Sequence, residues 1–246
     1  MPDDQLPRWR VGHLSPQTVI ENQPYEFYKL APDGVMLVAV AVGLKQFSRQ
    51  DVERVTAPIQ ALTAQLVERH VDIVVWGGVP LPVLIGLEAH AKVLDRIAEV
   101  AKVPVTSTVR CVVEAAKGLG LKKIAVANKW TDEMNATLAD FFASGGTGVL
   151  GRSTRPMEPS EFNAMTAREG VDLAYELGRA ALEAHPDADG LYIGGGAWLV
   201  LPASLRLERE FGKPVINNQN SLVWHVCRTL GCWRPKEGFG RLMAQA

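Results

Sequence analysis

The chain has 246 residues, 47% of them apolar and 22% charged, and a formal net charge of −1. These values are typical of a globular protein with a full core, and they give no electrostatic reason to expect nucleic acid or an anionic membrane as a partner. No window approaches the roughly 20 consecutive apolar residues that a membrane span needs.

Strand-like and helix-like segments alternate along the whole chain. Short runs rich in valine and isoleucine, mostly apolar on both faces as in buried parallel strands, predict strands at 10–14, 35–42, 72–76, 103–106, 123–127, 148–150, 190–193 and 214–217. Helical periodicity predicts helices at 49–69, 84–101, 108–119, 131–143, 159–184, 199–211 and 219–230. Ser48 and Thr131 are predicted N-caps, and Gly120 and Gly212 are predicted helix ends. The alternation predicts one or two doubly wound parallel sheets.

Two stretches of the chain resemble each other. Residues 72–78, DIVVWGG, and residues 189–195, DGLYIGG, share an aspartate, an apolar strand and a glycine pair at the same spacing. Each is followed by a helix and by a second short strand that a proline opens. This suggests a duplication and an α/β fold of two pseudo-symmetric, flavodoxin-like halves with the site in the cleft between them. We expect halves at 1–120 and 121–216, with 217–246 packing back on the first.

The first residues and the cysteines bear on two expectations, the cellular compartment and the presence of a metal site. The first five residues are acidic and lack the pattern of a secretory signal. The three cysteines, Cys111, Cys227 and Cys232, fit a reducing compartment better than a disulfide framework. Their spacing is not that of zinc ligands. We therefore expect a cytoplasmic protein without a metal site.

The predicted ligand site lies beyond the carboxyl ends of the strands, where helix N-termini point at a ligand. The glycine pairs ending at Gly78 and Gly195 are able to present backbone N–H groups to a small anion. The alternative is that these glycines only turn the chain after a strand. A matched pair in two repeats favours the anion cradle.

Six segments spread along the chain are similar to segments of known proteins. Residues 10–19 (RVGHLSPQTV) and 26–34 (EFYKLAPDG) are similar to the opening of maleate isomerases. Residues 105–108 (VTST), 118–127 (GLGLKKIAVA), 131–135 (TDEMN) and 238–242 (GFGRL) are similar to arylmalonate decarboxylase. Over nearly its whole length the chain thus resembles the Asp/Glu racemase superfamily, in its maleate isomerase and arylmalonate decarboxylase branch. The resemblance implies a carboxylate held in a cradle of N–H groups and hydroxyls, enediolate stabilisation, catalytic cysteines and no metal or organic cofactor.

At the positions that matter for catalysis the sequence departs from this pattern. The two cysteine positions fall on Gly78 and Gly195. The expected hydroxyl pair is Val79–Pro80, and the expected tyrosine is Trp130. Racemisation by two thiols is therefore not available to this chain, and neither is protonation by a single thiol.

Lys129 and His13 are the candidates to replace the thiols as catalytic groups. A lysine desolvated beside apolar walls has a lowered pKa and is able to transfer protons near neutral pH. The alternatives without a catalytic role are that Lys129 is a solvated lysine at a helix start and that His13 is a packed strand histidine. The predicted substrate-binding residues are Ser15, Gln17, Gly78, Val79, Pro80, Trp130, Gly195, Gly196, Trp198, Asn218 and Gln219.

The combined expectation is an enzyme that acts on a small organic acid or acid derivative. The step is of a lyase kind, similar to a decarboxylase, or an isomerase kind, with enediolate stabilisation. A hydrolase on the same scaffold and a non-catalytic protein that binds or senses a small acid remain open alternatives. The expected partner is a small carboxylic acid, with a homo-oligomer possible.

Overall fold

The computed structural model describes residues 6–195 and 197–246. Its strands are β1 (Trp9–Ser15), β2 (Val35–Ala41), β3 (Ile73–Trp76), β4 (Val105–Ser107), β5 (Lys123–Asn128), β6 (Gly148–Thr154), β7 (Gly190–Ile193) and β8 (Val215–Asn217). They form two four-stranded sheets in the orders β2-β1-β3-β4 and β6-β5-β7-β8, and every pairing is parallel. The two orders are the same once the numbers of the second are shifted by four, which confirms the expected pair of pseudo-symmetric halves.

Helices connect successive strands. They are α1 (Asn22–Leu30), α2 (Arg49–Thr56), α3 (Ile59–Val67), α4 (Pro80–Ala101), α5 (Thr108–Gly118), α6 (Asp132–Ser144), α7 (Pro159–Asn163), α8 (Ala167–Ala184), α9 (Leu201–Phe211) and α10 (Asn218–Thr229). The parallel strands with helical crossovers confirm the α/β fold. No helix within the described residues is both long and apolar enough to cross a membrane.

The helix predictions were wrong at three places. The segment predicted as one helix at 49–69 is two helices, with Pro58 as the N-cap residue of the second. The segment predicted at 159–184 is also two, because Thr166 starts a new helix with a capping box. Helix α1 had not been predicted. The predicted N-caps Ser48 and Thr131 are confirmed, since their side chains accept hydrogen bonds from the backbone N–H groups of Asp51 and Met134.

One edge strand of each sheet is much less buried than the other strands. Every residue of the central strands β3 and β7 and of the edge strand β8 is buried. By contrast, most residues of the edge strands β2 and β6 are half-buried or exposed. The interpretation of these runs as buried strands was therefore wrong for β2 and β6. An edge strand has one neighbour only and is covered by fewer helices.

The last helix joins the two halves. Helix α10 follows β8 of the second sheet, yet it packs along α5 and contacts α1 of the first half. One continuous core includes Val112 of α5, Phe142 of α6, Tyr192 of β7 and Val223 of α10. The cleft between the sheets is therefore closed at its base by shared apolar packing.

Candidate functional site

The candidate cavity lies between the two halves, at the carboxyl ends of the strands. Its volume is about 80 Å³, and its mouth is open to solvent. Ten residues predicted to form the site line it: His13, Gln17, Gly78, Pro80, Lys129, Trp130, Gly195, Trp198, Asn218 and Gln219. The structure thus brings most of the predicted residues to one place.

Three predicted residues are not part of this wall. The Ser15 side chain is fully buried behind it, and its Oγ donates a hydrogen bond to Gln23 Oε1 over 3.4 Å. Val79 is fully buried in the apolar core, because the chain turns into α4 there and directs this side chain inward. Gly196 lies outside the described residues.

Three of the longer helices begin at the cavity, as does the short helix α7 at Pro159. Pro80, Thr108 and Asn218 are the first residues of α4, α5 and α10, and all three line the wall. A helix N-terminus carries a partial positive charge and so favours an anion, even where side chains cap its first N–H groups, as Asn217 does at α10. This convergence follows from the parallel topology, because in each sheet the connection after every strand starts at the carboxyl edge of that sheet.

Two N–H groups of the glycine pairs are not open to a ligand. The Gly78 N–H donates to Thr108 Oγ1 over 3.1 Å, and the Gly194 N–H donates to the Ala127 carbonyl oxygen over 2.9 Å. These two donors are thus satisfied within the protein. At Gly78 the glycine is required by a positive φ of 81°. Attraction for an anion therefore comes from the helix N-termini and from the lysine described next.

Lys129 places its amine between two aromatic rings. Its Nζ lies 4.0 Å from the centroid of the Phe162 ring and 4.1 Å from that of the Trp198 ring. The residue is 4% exposed, and burial lowers its pKa well below the ordinary value. The two ring faces act in the opposite direction, because their negative charge density stabilises an ammonium ion. Lys129 is thus a buried amine whose ammonium form loses its proton more readily than that of a surface lysine.

His13 is held in its neutral form. Its Nε2 lies 2.7 Å from Gln23 Nε2, while Gln23 Oε1 accepts the hydrogen bond from Ser15. With the Gln23 amide donating, the proton of the ring lies on Nδ1, which has no partner among the described residues. Burial lowers the pKa of His13 to about 3. The geometry therefore favours His13 as a neutral hydrogen-bond donor to a ligand over the proton-transfer role that the sequence suggested.

The amide side chains of the turn after β8 have different hydrogen-bond partners. Asn217 and Asn220 form a reciprocal capping box at the start of α10, and Asn218 Oδ1 accepts a hydrogen bond from the Tyr192 hydroxyl over 2.7 Å. Gln219 is 3% exposed, lines the cavity, and its Oε1 has no partner among the described residues. Gln219 is therefore the amide of this turn that is left to meet a ligand.

The loop that carries Trp198 is tied to the first half. Glu26 of α1 is 1% exposed, and its Oε1 accepts hydrogen bonds from the backbone N–H groups of Val200 and Leu201 over 2.9 and 2.7 Å. Asn22 donates to the Ala197 carbonyl oxygen over 2.9 Å. The Trp198 indole N–H donates to the Gly194 carbonyl oxygen over 2.9 Å. These bonds fix the ring that covers one side of Lys129.

Sequence reasoning missed much of the apolar wall and the groups that support it. Leu44 and Phe47 lie on the connection after β2, and Phe162 lies on the connection after β6. Phe47 and Phe162 contact each other with ring centroids 5.8 Å apart. Both connections follow edge strands, so no strand-end rule pointed to them. Glu26 and Gln23 were missed with α1 itself.

The described residues hold no group of three or more His, Cys, Asp or Glu side chains that could bind a metal ion. The three cysteines are buried and unbridged, and none lines the cavity. Burial raises the pKa of the Cys111 thiol to about 12. Thiolate chemistry at Cys111 is therefore disfavoured.

Comparison with known proteins gives a consistent result. A family model described as arylmalonate decarboxylase matches residues 12–243. The arylmalonate decarboxylase of Bordetella bronchiseptica is 25% identical over 224 residues, which are 91% of this chain and 92% of that protein.

Solved structures share the fold at lower identity. A liganded mutant of arylmalonate decarboxylase, with one glycine changed to cysteine and one cysteine changed to serine, has a TM-score of 0.83 at 22% identity and covers 95% of this chain and 98% of its own. A maleate isomerase variant from Pseudomonas putida S16, with maleate, has a TM-score of 0.84 at 16% identity and covers 97% of this chain and 98% of its own.

Proposed function

The chain belongs to the arylmalonate decarboxylase family, which makes it an enzyme of the lyase or isomerase type, and we propose that it decarboxylates a small dicarboxylic acid bearing an apolar substituent. One observation carries this proposal. Among the described residues that line the cavity, Lys129 is the only lysine, arginine, aspartate or glutamate, and His13 is held neutral. In its ammonium form Lys129, together with three helix N-termini, attracts a carboxylate into a cleft that has no other ionic side chain among its described lining residues.

The cavity lining offers groups for both parts of such a substrate. It includes hydrogen-bonding side chains, among them His13, Thr108 and Gln219. It also includes apolar side chains, among them Leu44 and Phe47. A carboxylate placed against apolar residues is poorly solvated, whereas the second carboxylate is held by the hydrogen-bonding groups. Loss of the first as neutral carbon dioxide relieves this unfavourable placement.

The atoms and electrons of the proposed step balance without a cofactor. The bond between the central carbon and one carboxylate breaks, and its electron pair passes into an enediolate on the remaining carboxylate. The helix N-termini and the Lys129 ammonium stabilise the developing negative charge. Lys129 then gives a proton to the central carbon and recovers one from water. The products are carbon dioxide and a monocarboxylic acid.

Lys129 is preferred over His13 as the proton donor because His13 carries no second proton at neutral pH. Thr108 is the only hydroxyl side chain among the described lining residues, and its Oγ1 is engaged with the Gly78 N–H. That arrangement offers no activated nucleophile, so a hydrolase is not favoured.

The test is turnover of phenylmalonate and alkylmalonates in D₂O, followed by NMR of the product. We expect one deuterium at the new C–H position and a kcat that falls as pH rises through the lowered pKa of Lys129. Lys129→Met should lose turnover and weaken binding, whereas Lys129→Arg should keep much of the binding and lose turnover. Lys92→Met is the control, because Lys92 is on the surface and ion-paired with Glu88.

Full turnover by Lys129→Met would remove Lys129 from the mechanism. Malonates that stabilise the folded protein without being consumed would instead identify a binding protein on this scaffold.

A further inference from the structure

The amine of Lys129 is unusual in having no polar partner. Within the part of the chain that the structure describes, its Nζ makes no hydrogen bond and no ion pair, although the residue is buried and lines the cavity. Lys92 shows the opposite case, because its Nζ lies 2.6 Å from Glu88 Oε1 and that carboxylate raises its pKa. No carboxylate holds a proton on Lys129 in this way.

The two ring faces around Lys129 favour a cation on this nitrogen without fixing which cation it is. An ammonium ion has this property, and so does the protonated imine that an amine forms with a ketone. A neutral amine is needed for the first attack, and burial favours that form by lowering the pKa of Lys129. The cavity therefore meets the two requirements of an imine-forming lysine, a reactive amine and a stabilised iminium.

We infer that Lys129 forms an imine with 3-oxo acids that carry an apolar substituent, and that the cavity decarboxylates them through this adduct. The inference rests on the proposed function for the placement of a carboxylate in this cavity. It adds a second substrate class, distinguished from malonates by a ketone in place of one carboxylate.

The covalent steps balance with water as the only co-reactant. The neutral amine adds to the ketone carbon, and the ketone oxygen leaves as water after taking one proton from the nitrogen and one from solvent. The bond from the adjacent carbon to the carboxylate then breaks. Its electron pair neutralises the iminium, so that carbon dioxide and an enamine form. A solvent proton adds to the enamine carbon, and water hydrolyses the iminium to release the ketone and the free amine.

Other groups of the cavity fit this chemistry. Gln219 Oε1 is a buried acceptor without a partner among the described residues, and it offers a hydrogen bond to the hydroxyl of the adduct before water leaves. The aromatic and aliphatic wall suits the substituent, whereas the helix N-termini suit the carboxylate of the incoming acid. None of these groups needs a thiol.

The experiment traps the adduct by reduction. Purified protein is mixed with 3-oxo-3-phenylpropanoate, treated with sodium borohydride and digested, and the peptides are mapped by mass spectrometry. We expect a secondary amine on Lys129 with the mass of the substrate or its decarboxylated product, less one oxygen. Lys129→Arg should lose the adduct and the ketone-forming activity, because a guanidinium does not form imines. Lys92→Arg should change neither.

The outcomes separate this inference from the proposed function. Adducts confined to surface lysines, or none at all, would overturn the inference, and continued turnover of phenylmalonate would leave the proposed function standing. Ketone formation that survives in Lys129→Arg above the rate without protein would overturn the inference as well. A trapped adduct with no malonate turnover would support the imine while contradicting the malonate activity.

Discussion

Val200 occupies the space into which a side chain at Gly195 would extend. A Cβ built on Gly195 would lie 2.5 Å from Val200 Cγ1 and 2.8 Å from Val200 Cγ2. Both methyl groups branch directly from the Val200 Cβ, so they have little freedom to move aside. The position that the sequence resemblance aligned with a catalytic cysteine is thus sterically closed as well as lacking a thiol.

The first prediction concerns restoring a thiol there. Gly195→Cys alone should lower the free energy of unfolding by about 1–3 kcal/mol through overpacking. It should also give little new decarboxylation of phenylmalonate. Adding Val200→Ala removes the two methyl groups, so the double variant should have a higher Tm than Gly195→Cys and a thiol that reacts at the cavity. A single Gly195→Cys variant with wild-type Tm and a reactive thiol would contradict this account.

The second prediction concerns Gly78, where Pro16 occupies the space of a side chain as Val200 does at Gly195. A Cβ on Gly78 would lie 2.6 Å from Pro16 Cγ, and the backbone φ is 81°. Gly78→Ala should therefore lose stability both through the φ angle, at about 1–2 kcal/mol, and through overpacking, at about 1–3 kcal/mol. Gly120→Ala is the matched control, because its φ is 71° and nothing lies within 4 Å of the added Cβ.

Denaturant unfolding of the two variants separates the causes. Gly120→Ala should show the conformational cost alone. Pro16→Ala should recover part of the loss in Gly78→Ala, because it removes the Cγ and leaves the more distant Cβ at 3.1 Å. Equal losses for Gly78→Ala and Gly120→Ala would show that Pro16 does not restrict this site.

The third prediction follows from Glu26. Burial raises its pKa from 4.5 to about 7, against the opposing effect of the backbone N–H groups of Leu201 and Val200 and the charge of Lys29. A carboxyl with a raised folded-state pKa binds its proton more tightly in the folded protein. Its contribution to stability is therefore complete below about pH 4.5 and is lost as pH rises through 7.

Glu26→Gln isolates this contribution. The amide keeps an oxygen for the two N–H groups and does not titrate. Between pH 4.5 and 8 the wild type should lose up to about 3 kcal/mol relative to Glu26→Gln in urea unfolding. The comparison cancels the opposite trend from His13, whose lowered pKa makes the wild type less stable as pH falls. A constant difference across this range would mean that Glu26 is ionised throughout.

The fourth prediction concerns the rings around Lys129. Phe162→Leu removes one aromatic face while keeping an apolar side chain, so the ammonium form loses about 0.5–1 kcal/mol of stabilisation. The high-pH limb of kcat for phenylmalonate should then move down by about half a pH unit. Phe47→Leu is the control, because Phe47 lines the same cavity and contacts Phe162 but not the amine. The same shift in both variants would point to a general change of the cavity.

The sequence was sufficient for the parts of the fold that depend on simple repeating patterns. Buried strands such as β3 and β7 were identifiable from continuous apolar runs, and the parallel topology then placed Lys129, Gln219 and Gly195 at one edge. Helix α1 was not identifiable in this way. Its inward face carries Gln23 and Glu26 beside Phe27, so it shows no continuous apolar stripe.

The parts of the site that escaped prediction depend on contacts distant in sequence. Phe162 reaches Lys129 from a connection after an edge strand, and Glu26 reaches Val200 from the other half of the molecule. The roles of Gly78 and Gly195 also depended on neighbours, since Pro16 and Val200 restrict them. Turn-forming glycines have the same local pattern whether their N–H groups are open or already bonded.

The packing of α10 against α5 has a consequence for biosynthesis. The chain leaves the ribosome from its N-terminus, so α5 is made about a hundred residues before the helix that covers it. Buried side chains of α5, such as Val109 and Val112, remain without Leu222 and Val223 of α10 until those residues have been synthesised. During that interval the nascent first half exposes an apolar surface to chaperones and to other nascent chains. Ribosome-bound chains that stop before Asn218 should therefore be more prone to aggregation than those that include α10.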